Sequence, residues 1–207
     1  MKKSVFDPGE QQQDISSKIV AGLERISEVF KVLLWEKAKT TGLSPIQIQL
    51  LIFIAYHKRE LCNVSHLAKE FNVTKPTVSD AIRILGKKKL IVKDFSSNDS
   101  RSYTVLLSGL GEKTLSEINN FADPLKSEIN TFDPGQLEII FENMSQLIFN
   151  LNRSGVLTVQ RTCFGCKYYR KRPTSDFCTL LQKELLNRDI RIDCPDFEKK
   201  ELPSVSK

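Results

Sequence analysis

The sequence lacks the segments that would export a protein or anchor it in a membrane. Met1 and two lysines are followed by polar residues, where a secretory signal would have an apolar run. No apolar stretch approaches the ~20 residues that a transmembrane helix needs. We therefore expect a cytoplasmic protein without a membrane partner, in an environment that keeps cysteines reduced.

Residues that support catalysis are also scarce. The chain of 207 residues contains two histidines, His57 and His66, and neither accompanies a plausible nucleophile. The glycine-rich loop that binds the phosphates of nucleotides is missing as well. The sequence therefore predicts that the protein is not an enzyme.

Positive charge is present in modest excess. Lysine and arginine together number 31 and aspartate and glutamate 25, which gives a net charge of +6 and a pI near 9.0. A basic protein is attracted to polyanions, so this balance favours a nucleic-acid partner without proving one.

Residues 74–89 have the pattern of a helix that enters the major groove of DNA. Thr74 is a suitable N-cap, and Pro76 fits the first turn. One face is apolar, with helical spacing between Val78, Ile82 and Leu85. The polar positions carry hydroxyl or basic groups, namely Lys75, Thr77, Ser79 and Arg83. Such side chains can contact base edges and phosphates, although an ordinary amphipathic surface helix would show the same period.

A helix-turn-helix and a β-hairpin are predicted around this segment. Asn63 can cap a short helix over 64–71, and the tight connection that follows is typical of a helix-turn-helix. After Leu90 the pattern alternates as in strands, over 90–95 and 103–107, with a polar turn between them. We interpret the hairpin as a wing that contacts DNA, the alternative being an ordinary surface hairpin.

Longer amphipathic helices are predicted on both sides of this unit. Residues 1–9 look disordered, and a helix with a near-heptad apolar stripe follows over 10–39. Two more helical patterns cover 108–125, with a kink or restart at a proline, and 133–151. Their apolar seams exceed what a winged helix alone needs, so we assign these helices to a dimerisation region.

The order of these elements, with the residues in them, resembles the MarR family of bacterial transcription regulators over residues 10–153. The matching residues are Val64, Ser65, His66, Leu67, Ala68, Thr77, Val78, Ser79, Leu85, Lys87, Lys88, Leu90, Ile91, Asp99, Ser100, Arg101, Val105, Leu107, Ser108 and Gly111. The resemblance implies a winged helix at about 44–107 and a homodimer that binds a pseudo-palindromic operator in double-stranded DNA. It also implies that Arg101 lies at the minor groove, that Asp99 stabilises the wing, and that a small ligand or thiol oxidation releases a repressor from DNA.

Two residues depart from the pattern of that family. Asp80 stands where the family usually has a basic or neutral residue, and a carboxylate there repels phosphate although it can accept from cytosine. Lys89 replaces the usual glycine before the first wing strand. If that position needs a positive φ, lysine costs about 1 kcal/mol.

Four cysteines lie in the segment 155–200, which we call the cysteine tail: Cys163, Cys166, Cys178 and Cys194. The first pair flanks Gly165 and resembles a metal-binding knuckle, and Cys178 is predicted to begin a short helix. Both histidines lie far upstream, so the ligands would all be thiolates. We predict zinc in a closed tetrahedral site, with an iron–sulfur cluster as the alternative. Disulfides or free thiols suit a cytosolic protein less well.

Cys62 stands apart from this group, just before the predicted helix-turn-helix. It is either a small buried side chain, as free cysteines usually are, or a redox-sensing thiol. Only Lys58 and Arg59 lie nearby in the sequence to lower the pKa of Cys62.

Together these observations predict a fold that is mainly α with a small β wing. It comprises a winged helix-turn-helix, a helical dimerisation region and a small four-cysteine metal module. The predicted function is a DNA-binding transcription regulator, a repressor that responds to a small ligand or to its redox or metal state. The alternative is a protein-interaction module whose winged helix and zinc-ribbon-like tail bind partner proteins without recognising an operator.

Overall fold

The computed structural model describes residues 4–96, 103–172 and 175–200. The elements described there are α1 (Pro8–Gln13), α2 (Ile15–Thr41), α3 (Pro45–Tyr56), α4 (Val64–Glu70), α5 (Lys75–Lys87), β1 (Ile91–Asp94), β2 (Thr104–Leu107), α6 (Gly109–Ile118), α7 (Asp123–Ile129), α8 (Pro134–Arg153), β3 (Tyr169–Arg170), β4 (Asp176–Cys178) and β5 (Lys183–Leu185). Short 3₁₀ turns occur at Arg59–Leu61, Cys163–Gly165 and Asn187–Asp189. Within these ranges, no helix combines the length and the apolar character that crossing a membrane requires.

The helix predicted over 10–39 begins earlier than expected and is interrupted near its start. Of the residues 1–9 predicted to be disordered, Pro8 and Gly9 belong to α1, and residues 1–3 lie outside the described residues. The predicted single long helix is interrupted at Asp14, whose carboxylate accepts hydrogen bonds from the backbone and hydroxyl groups of Ser16 and Ser17. These bonds, the Ser17 hydroxyl foremost, lower the pKa of Asp14 to about 2. Asp14 is therefore the N-cap of α2, and it separates this helix from α1.

Several helix boundaries are confirmed by their hydrogen bonds. Asn63 Oδ1 accepts from the His66 N–H at 2.9 Å, at the start of α4. Asp133 Oδ1 accepts from the Gln136 N–H at 3.0 Å, at the start of α8. Gly42 ends α2 with φ +64, the left-handed conformation that glycine adopts most readily.

The helix α3 lies at the centre of the winged helix. Its residues are apolar on nearly all sides, and it packs against α2, α5, α6 and β2. The largest fully buried apolar side chains of this core are Ile48, Leu50, Leu51, Leu67, Ile82, Leu85, Ile118, Val78 and Val105. Burying one side chain of this size contributes on the order of 1.5–3 kcal/mol to the free energy of folding. This core therefore holds α4 and α5 in fixed positions against α3.

The strands β1 and β2 form the predicted hairpin, paired antiparallel from Ile91 opposite Leu107. The backbone N–H of Val105 donates to the carbonyl of Cys62 at 2.8 Å, which joins the hairpin to the loop before α4. Lys89 has φ +58. The position therefore does need the left-handed conformation, and a lysine there costs about 1 kcal/mol.

Gly111 allows α6 to approach the hairpin closely. A Cβ atom at this residue would lie 2.0 Å from the carbonyl oxygen of Leu90. The Ser108 hydroxyl accepts from the Gly111 N–H at 3.0 Å and donates to the carbonyl of Lys89 at 2.6 Å. A larger residue than glycine would therefore push α6 away from the wing.

The helical patterns after the wing are divided as the prolines indicate. The pattern over 108–125 forms two helices, and α7 restarts the chain at Asp123, next to the proline. The helix α8 runs for 20 residues after its cap at Asp133. Both α2 and α8 leave apolar side chains exposed in the single chain.

The cysteine tail contains a small antiparallel sheet in the order β3–β4–β5. Cys178 pairs with Tyr169 on one side and with Lys183 on the other. The prediction of a helix beginning at Cys178 is therefore wrong. The leucines at 180, 181, 185 and 186 have helical spacing, but Leu185 is buried in a strand and the first two lie in the exposed turn.

Candidate nucleic-acid interface

The helix α5 holds its polar side chains away from the core. Its buried residues are Val78, Ala81, Ile82 and Leu85. Its predicted DNA-binding residues are all exposed, namely Lys75, Thr77, Ser79 and Arg83. The helix therefore offers hydroxyl and basic groups that can reach base edges and phosphates.

The start of α5 is built around two threonines. Thr74 Oγ1 accepts from the backbone N–H of Thr77 at 3.3 Å, and the two hydroxyl oxygens are 2.8 Å apart. The cap satisfies one free N–H of the first turn. It also holds the Thr77 hydroxyl in a defined position at the exposed end of the helix.

Arg83 is paired with the acidic residue that departs from the family pattern. Its Nη2 donates to Asp80 Oδ1 at 3.0 Å, one turn earlier on α5. Both side chains are more than half exposed, at 57% and 68%. Because water screens such a pair, it is weak, and a phosphate or guanine can compete for the guanidinium.

The two predicted wing residues, Arg101 and Asp99, lie outside the described residues. At the base of the wing, the structure instead shows an arginine that the sequence reasoning missed. Arg59 forms an ion pair with Asp94, and it donates to Ser96 Oγ at 3.0 Å and to Thr104 Oγ1 at 3.3 Å. It joins both strands of the hairpin, and no local pattern indicates contacts so distant in sequence.

Further lysines surround the exposed side of α5. Lys87 and Lys89 are exposed at its C-terminal end, and Lys88 Nζ donates to the carbonyl of Gly42 at 3.1 Å. On the wing, Lys93 Nζ lies 4.2 Å from the centre of the Tyr103 ring. These cations extend the basic surface from α5 to β1, as contact with a phosphate backbone requires.

Cys62 is almost completely buried, with 1% of its surface exposed. Burial, with a smaller contribution from the charge of Glu60, raises the pKa of this thiol to about 11. A redox-sensing cysteine needs exposure and a low pKa. The geometry therefore favours the interpretation of Cys62 as a small buried side chain.

The cysteines of the tail come together around one cavity. A space of about 20 Å³ is lined by Cys163, Cys166, Cys178 and Cys194, with Tyr169, Leu185 and neighbouring residues. Burial raises the pKa of Cys163, and the backbone N–H of Arg191 partly offsets this effect. Negative charge on the other three cysteines raises the pKa of Cys163 further, because thiolates repel one another at close range.

The cysteine tail is joined to the helix-turn-helix through Arg161. Its Nη1 and Nη2 donate to the two carboxylate oxygens of Glu70 on α4, at 2.8 and 3.0 Å. The same guanidinium binds Asp193, which also contacts His57 Nε2 at 2.6 Å. Burial opposes the ionisation of Asp193, yet hydrogen bonds from Arg161 and His57 outweigh it and lower the pKa of Asp193.

A cleft of about 730 Å³ lies beside this network, between the winged helix and the tail. Its lining includes Tyr56, Leu61, His66, Val159, Pro195 and Phe197. Burial lowers the pKa of His66 against the opposing charge of Glu70, and the imidazole Nε2 lies 3.5 Å from that carboxylate. The cleft is thus large enough for a small molecule, and it combines these apolar residues with the charged side chains of Lys58, Glu60, Arg161 and Asp193.

Known proteins match the part of the chain that carries this interface. Residues 41–102 match the model of the MarR family. The winged helix resembles that of the MarR family over this segment. The matched segment includes α3, α4, α5 and β1. MarR family members are transcription regulators rather than enzymes, which agrees with the prediction that this chain is not an enzyme.

Solved MarR structures share the fold. The S. aureus protein MepR in its DNA-binding conformation is 22% identical, with a TM-score of 0.57 over 64% of this chain and 98% of that chain. The S. aureus MepR–DNA complex gives a TM-score of 0.54 at 22% identity, over 62% of this chain and 94% of that chain. A MarR transcriptional regulator from Methanosarcina mazei Go1 is 20% identical, with a TM-score of 0.54 over 63% and 95% of the two chains.

These matches leave part of the chain without a counterpart. Nearly all of each MarR structure is covered, yet it aligns with less than two thirds of this chain. No curated protein matches the chain. A MarR-type winged helix has therefore been joined here to a segment that these MarR structures lack.

Proposed function

We propose that the protein is a transcription regulator that binds an operator in double-stranded DNA as a homodimer and acts as a repressor. The observation that carries this proposal is α5, a capped helix whose exposed side bears hydroxyl and basic groups. Its likeness in fold to MepR, which has been solved in a complex with DNA, supports the same use of the helix.

In this proposal each subunit contributes two DNA contacts. Lys75, Thr77, Ser79 and Arg83 of α5 lie in the major groove and read base edges or bind phosphates. Arg101, which lies between the two strands in the sequence, contacts the adjacent minor groove, and Asp99 supports that contact, as the resemblance to the MarR family implies. Arg59 supports both by fixing the base of the hairpin to the turn before α4.

A homodimer is supported by apolar side chains that the single chain leaves uncovered. On α2 these include Ile15, Ile19, Leu23, Ile26 and Phe30, each between 39% and 69% exposed. On α8 they include Ile139, Ile140, Met144 and Leu147, each between 39% and 62% exposed. Apolar surface of this extent, on two long helices, is typical of a protein that buries it against a second copy.

Regulation by a small ligand is supported by the cleft beside the helix-turn-helix. The cleft lies between the winged helix and the tail, next to α4. A molecule bound there would shift α4, and with it α5, relative to the dimerisation helices. The two recognition helices of a dimer must match the spacing of two half-sites, so such a shift changes operator affinity.

The test is selection of duplexes from a random DNA library, followed by binding measurements on the selected sequence. We expect a pseudo-palindromic site occupied by one dimer. The competing interpretation, a protein-docking module, predicts no enriched sequence. Enrichment of single half-sites bound by a monomer would contradict the dimer while leaving DNA binding intact.

A further inference from the structure

We propose that Cys163, Cys166, Cys178 and Cys194 bind one zinc ion, and that the ion holds the cysteine tail against both the helix-turn-helix and α8. The proposal has two parts, a metal site and a structural link between two regions of the fold. Different contacts carry each part, so each can fail separately.

The first two ligands lie on a tight turn of the chain. The Cys166 N–H donates to the carbonyl of Cys163 at 2.9 Å, which closes the turn, and both residues line the same cavity. A Cβ atom at Gly165 would lie 2.0 Å from Gln160 Nε2, so a larger residue there would displace the end of the Gln160 side chain. This is the local geometry by which a short peptide presents two thiolates to one ion.

The other two ligands come from separate segments. Cys178 is on the central strand β4 of the small sheet. Cys194 follows an isolated bridge between Arg161 and Asp193, which brings it beside the segment that leads to Cys163. An ion bound by all four would therefore join three separate parts of the tail.

Two further features of the tail favour a charged thiolate centre. The Arg191 backbone N–H lies 3.3 Å from Cys163 Sγ, and the Arg191 guanidinium Nη1 lies 3.7 Å from Cys194 Sγ. Donors aimed at sulfur stabilise thiolates rather than thiols. The buried hydrophobic residues of the described tail are only Cys166, Leu185 and Ile190. A segment with so small a core usually needs a metal or disulfides to be stable.

Zinc is the ion that this ligand set suits best. Four thiolates form a closed tetrahedral zinc site with Zn–S distances of about 2.3 Å. Within the described residues, no three His, Cys, Asp or Glu side chains already form a group that could hold a metal ion. The proposal therefore requires the four thiols, which line one cavity, to rotate toward its centre when zinc binds.

The link to the helix-turn-helix is the ion pair of Arg161. Its side chain is only 11% exposed, and Glu70 and Asp193 surround its guanidinium. Arg161 lies two residues before Cys163, and Asp193 lies directly before Cys194. The proposed ligands thus fix both residues that hold the tail against α4.

The link to α8 lies on the other side of the tail. Phe164, inside the Cys163–Gly165 turn, contacts Phe149 of α8 with 6.1 Å between ring centres. Asn187 Nδ2 donates to Glu142 Oε2 of α8 at 3.3 Å. The tail therefore connects the proposed dimerisation helix to the first helix of the helix-turn-helix. If the protein binds an operator as proposed above, zinc would also hold α5 at the angle that the operator requires. This last step rests on the proposed function.

The metal site is tested by purifying the full chain without oxygen and measuring its metal content and visible spectrum. We expect a colourless protein with about one zinc per chain, and tetrahedral thiolate absorption after cobalt replaces zinc. Cys178→Ser should lose the zinc, whereas Cys62→Ala, which removes the cysteine outside the set, should keep it. Iron with sulfide and a brown colour would overturn the assignment of zinc, and a metal-free protein would overturn the site.

The structural link is tested by hydrogen–deuterium exchange of the zinc-bound chain and of the chain treated with a chelator. We expect amides of residues 64–70 to exchange faster after zinc is removed. Arg161→Gln should keep its zinc and show the same faster exchange, whereas the control Arg188→Gln should match the unmodified chain. Unchanged exchange on zinc removal would overturn the link.

DNA affinity gives a separate readout on the same samples. We expect removal of zinc and Arg161→Gln each to weaken operator binding. If zinc and exchange behave as expected but no sample binds DNA, the proposed function fails and the site and link remain. If DNA binding is strong with and without zinc, the role of the ion in operator binding is overturned.

Discussion

Arg83 and Asp80 form the pair of residues on which the chemistry of α5 depends most. The carboxylate holds the guanidinium at 3.0 Å in the free chain, on the side that faces solvent. A guanidinium that leaves this partner for guanine gains two hydrogen bonds in one plane. In the proposed complex, Asp80 therefore opposes DNA binding in two ways, by competing for Arg83 and by repelling phosphate.

Replacing Arg83 with alanine is expected to weaken operator binding by about 1–3 kcal/mol if it reads a base. Fluorescence anisotropy with the selected duplex measures this change. Asp80→Asn should act in the opposite direction, because it frees the arginine and removes the repulsion. Lys113→Ala, an exposed lysine on α6, serves as the control and should change little. Equal affinities for Arg83→Ala and the unmodified chain would remove Arg83 from the interface.

Cys62 illustrates how burial decides the role of a cysteine. With its pKa raised to about 11, almost none of this thiol is ionised near pH 8. We expect iodoacetamide to modify Cys62 far more slowly in the native protein than after unfolding, as mass spectrometry of the digested chain would show. Rapid modification of the native chain would restore the redox-sensing interpretation.

The residue-scale predictions from sequence succeeded where the pattern was local. The caps at Thr74 and Asn63 and the exposed positions of α5 follow from helical spacing and from short-range hydrogen bonds. Arg59 and Arg161 could not be found this way. Their partners are 32 or more residues distant, as in the pairs of Arg161 with Asp193 and with Glu70, the latter 91 residues away.

At the scale of elements, the wing depends on a contact from outside the hairpin. Arg59 binds Asp94 at the end of β1, Ser96 just after that strand, and Thr104 at the start of β2. Its side chain is 46% exposed, so water screens the ion pair and the stabilisation is modest.

We expect Arg59→Ala to speed amide exchange in β1 and β2, at a local cost below about 1 kcal/mol. Arg59→Lys should behave in a similar way, because an ammonium group cannot reproduce the forked contacts of a guanidinium. Normal exchange in the lysine variant would show that charge alone holds the hairpin. Normal exchange in both variants would contradict the role given to Arg59.

The elements that the sequence predicted well have strong signals at their ends. The starts of α4, α5 and α8 carry capping side chains, and the alternation after Leu90 identified the hairpin. The segment after Cys178 was predicted as a helix because four leucines have helical spacing. Pairing of β5 with β4 and a turn at Gln182, with φ +51, make it a hairpin instead. This pairing is local, but a short apolar run fits a helix and a strand equally well, so the spacing of the leucines could not distinguish them.

At the scale of the whole molecule, the exposed apolar stripe of α2 requires a partner. Leu23 lies within this stripe and is 43% exposed in the single chain. We expect Leu23→Glu to shift the protein from dimer toward monomer, because a carboxylate buried in an apolar interface is costly. Light scattering after size-exclusion chromatography measures the mass.

Arg25→Glu is the matched control for this experiment, since it introduces the same side chain on α2 at a position that is 85% exposed. It should leave the dimer intact. Dimers of equal strength in both variants would place the subunit contact away from the apolar stripe of α2.

The placement of the cysteine tail is a property of the whole molecule that the sequence could not predict. The spacing of the cysteines indicates a metal module, yet nothing in it indicates docking on α4 and α8 at once. That arrangement depends on Arg161, Phe164 and Asn187, whose partners belong to distant helices. The MarR-type fold, by contrast, could be recognised from the order of its helices and strands.

The most direct test of the account measures binding of the selected operator duplex as the salt concentration rises. A regulator whose basic α5 and wing contact phosphates should lose affinity steeply, with log K falling by about 0.9 for each tenfold rise in salt per phosphate contact. We expect several such contacts per dimer, and a smaller slope for a variant that lacks Lys75. Weak binding without sequence preference, or binding that salt does not change, would contradict the central claim that this protein recognises an operator.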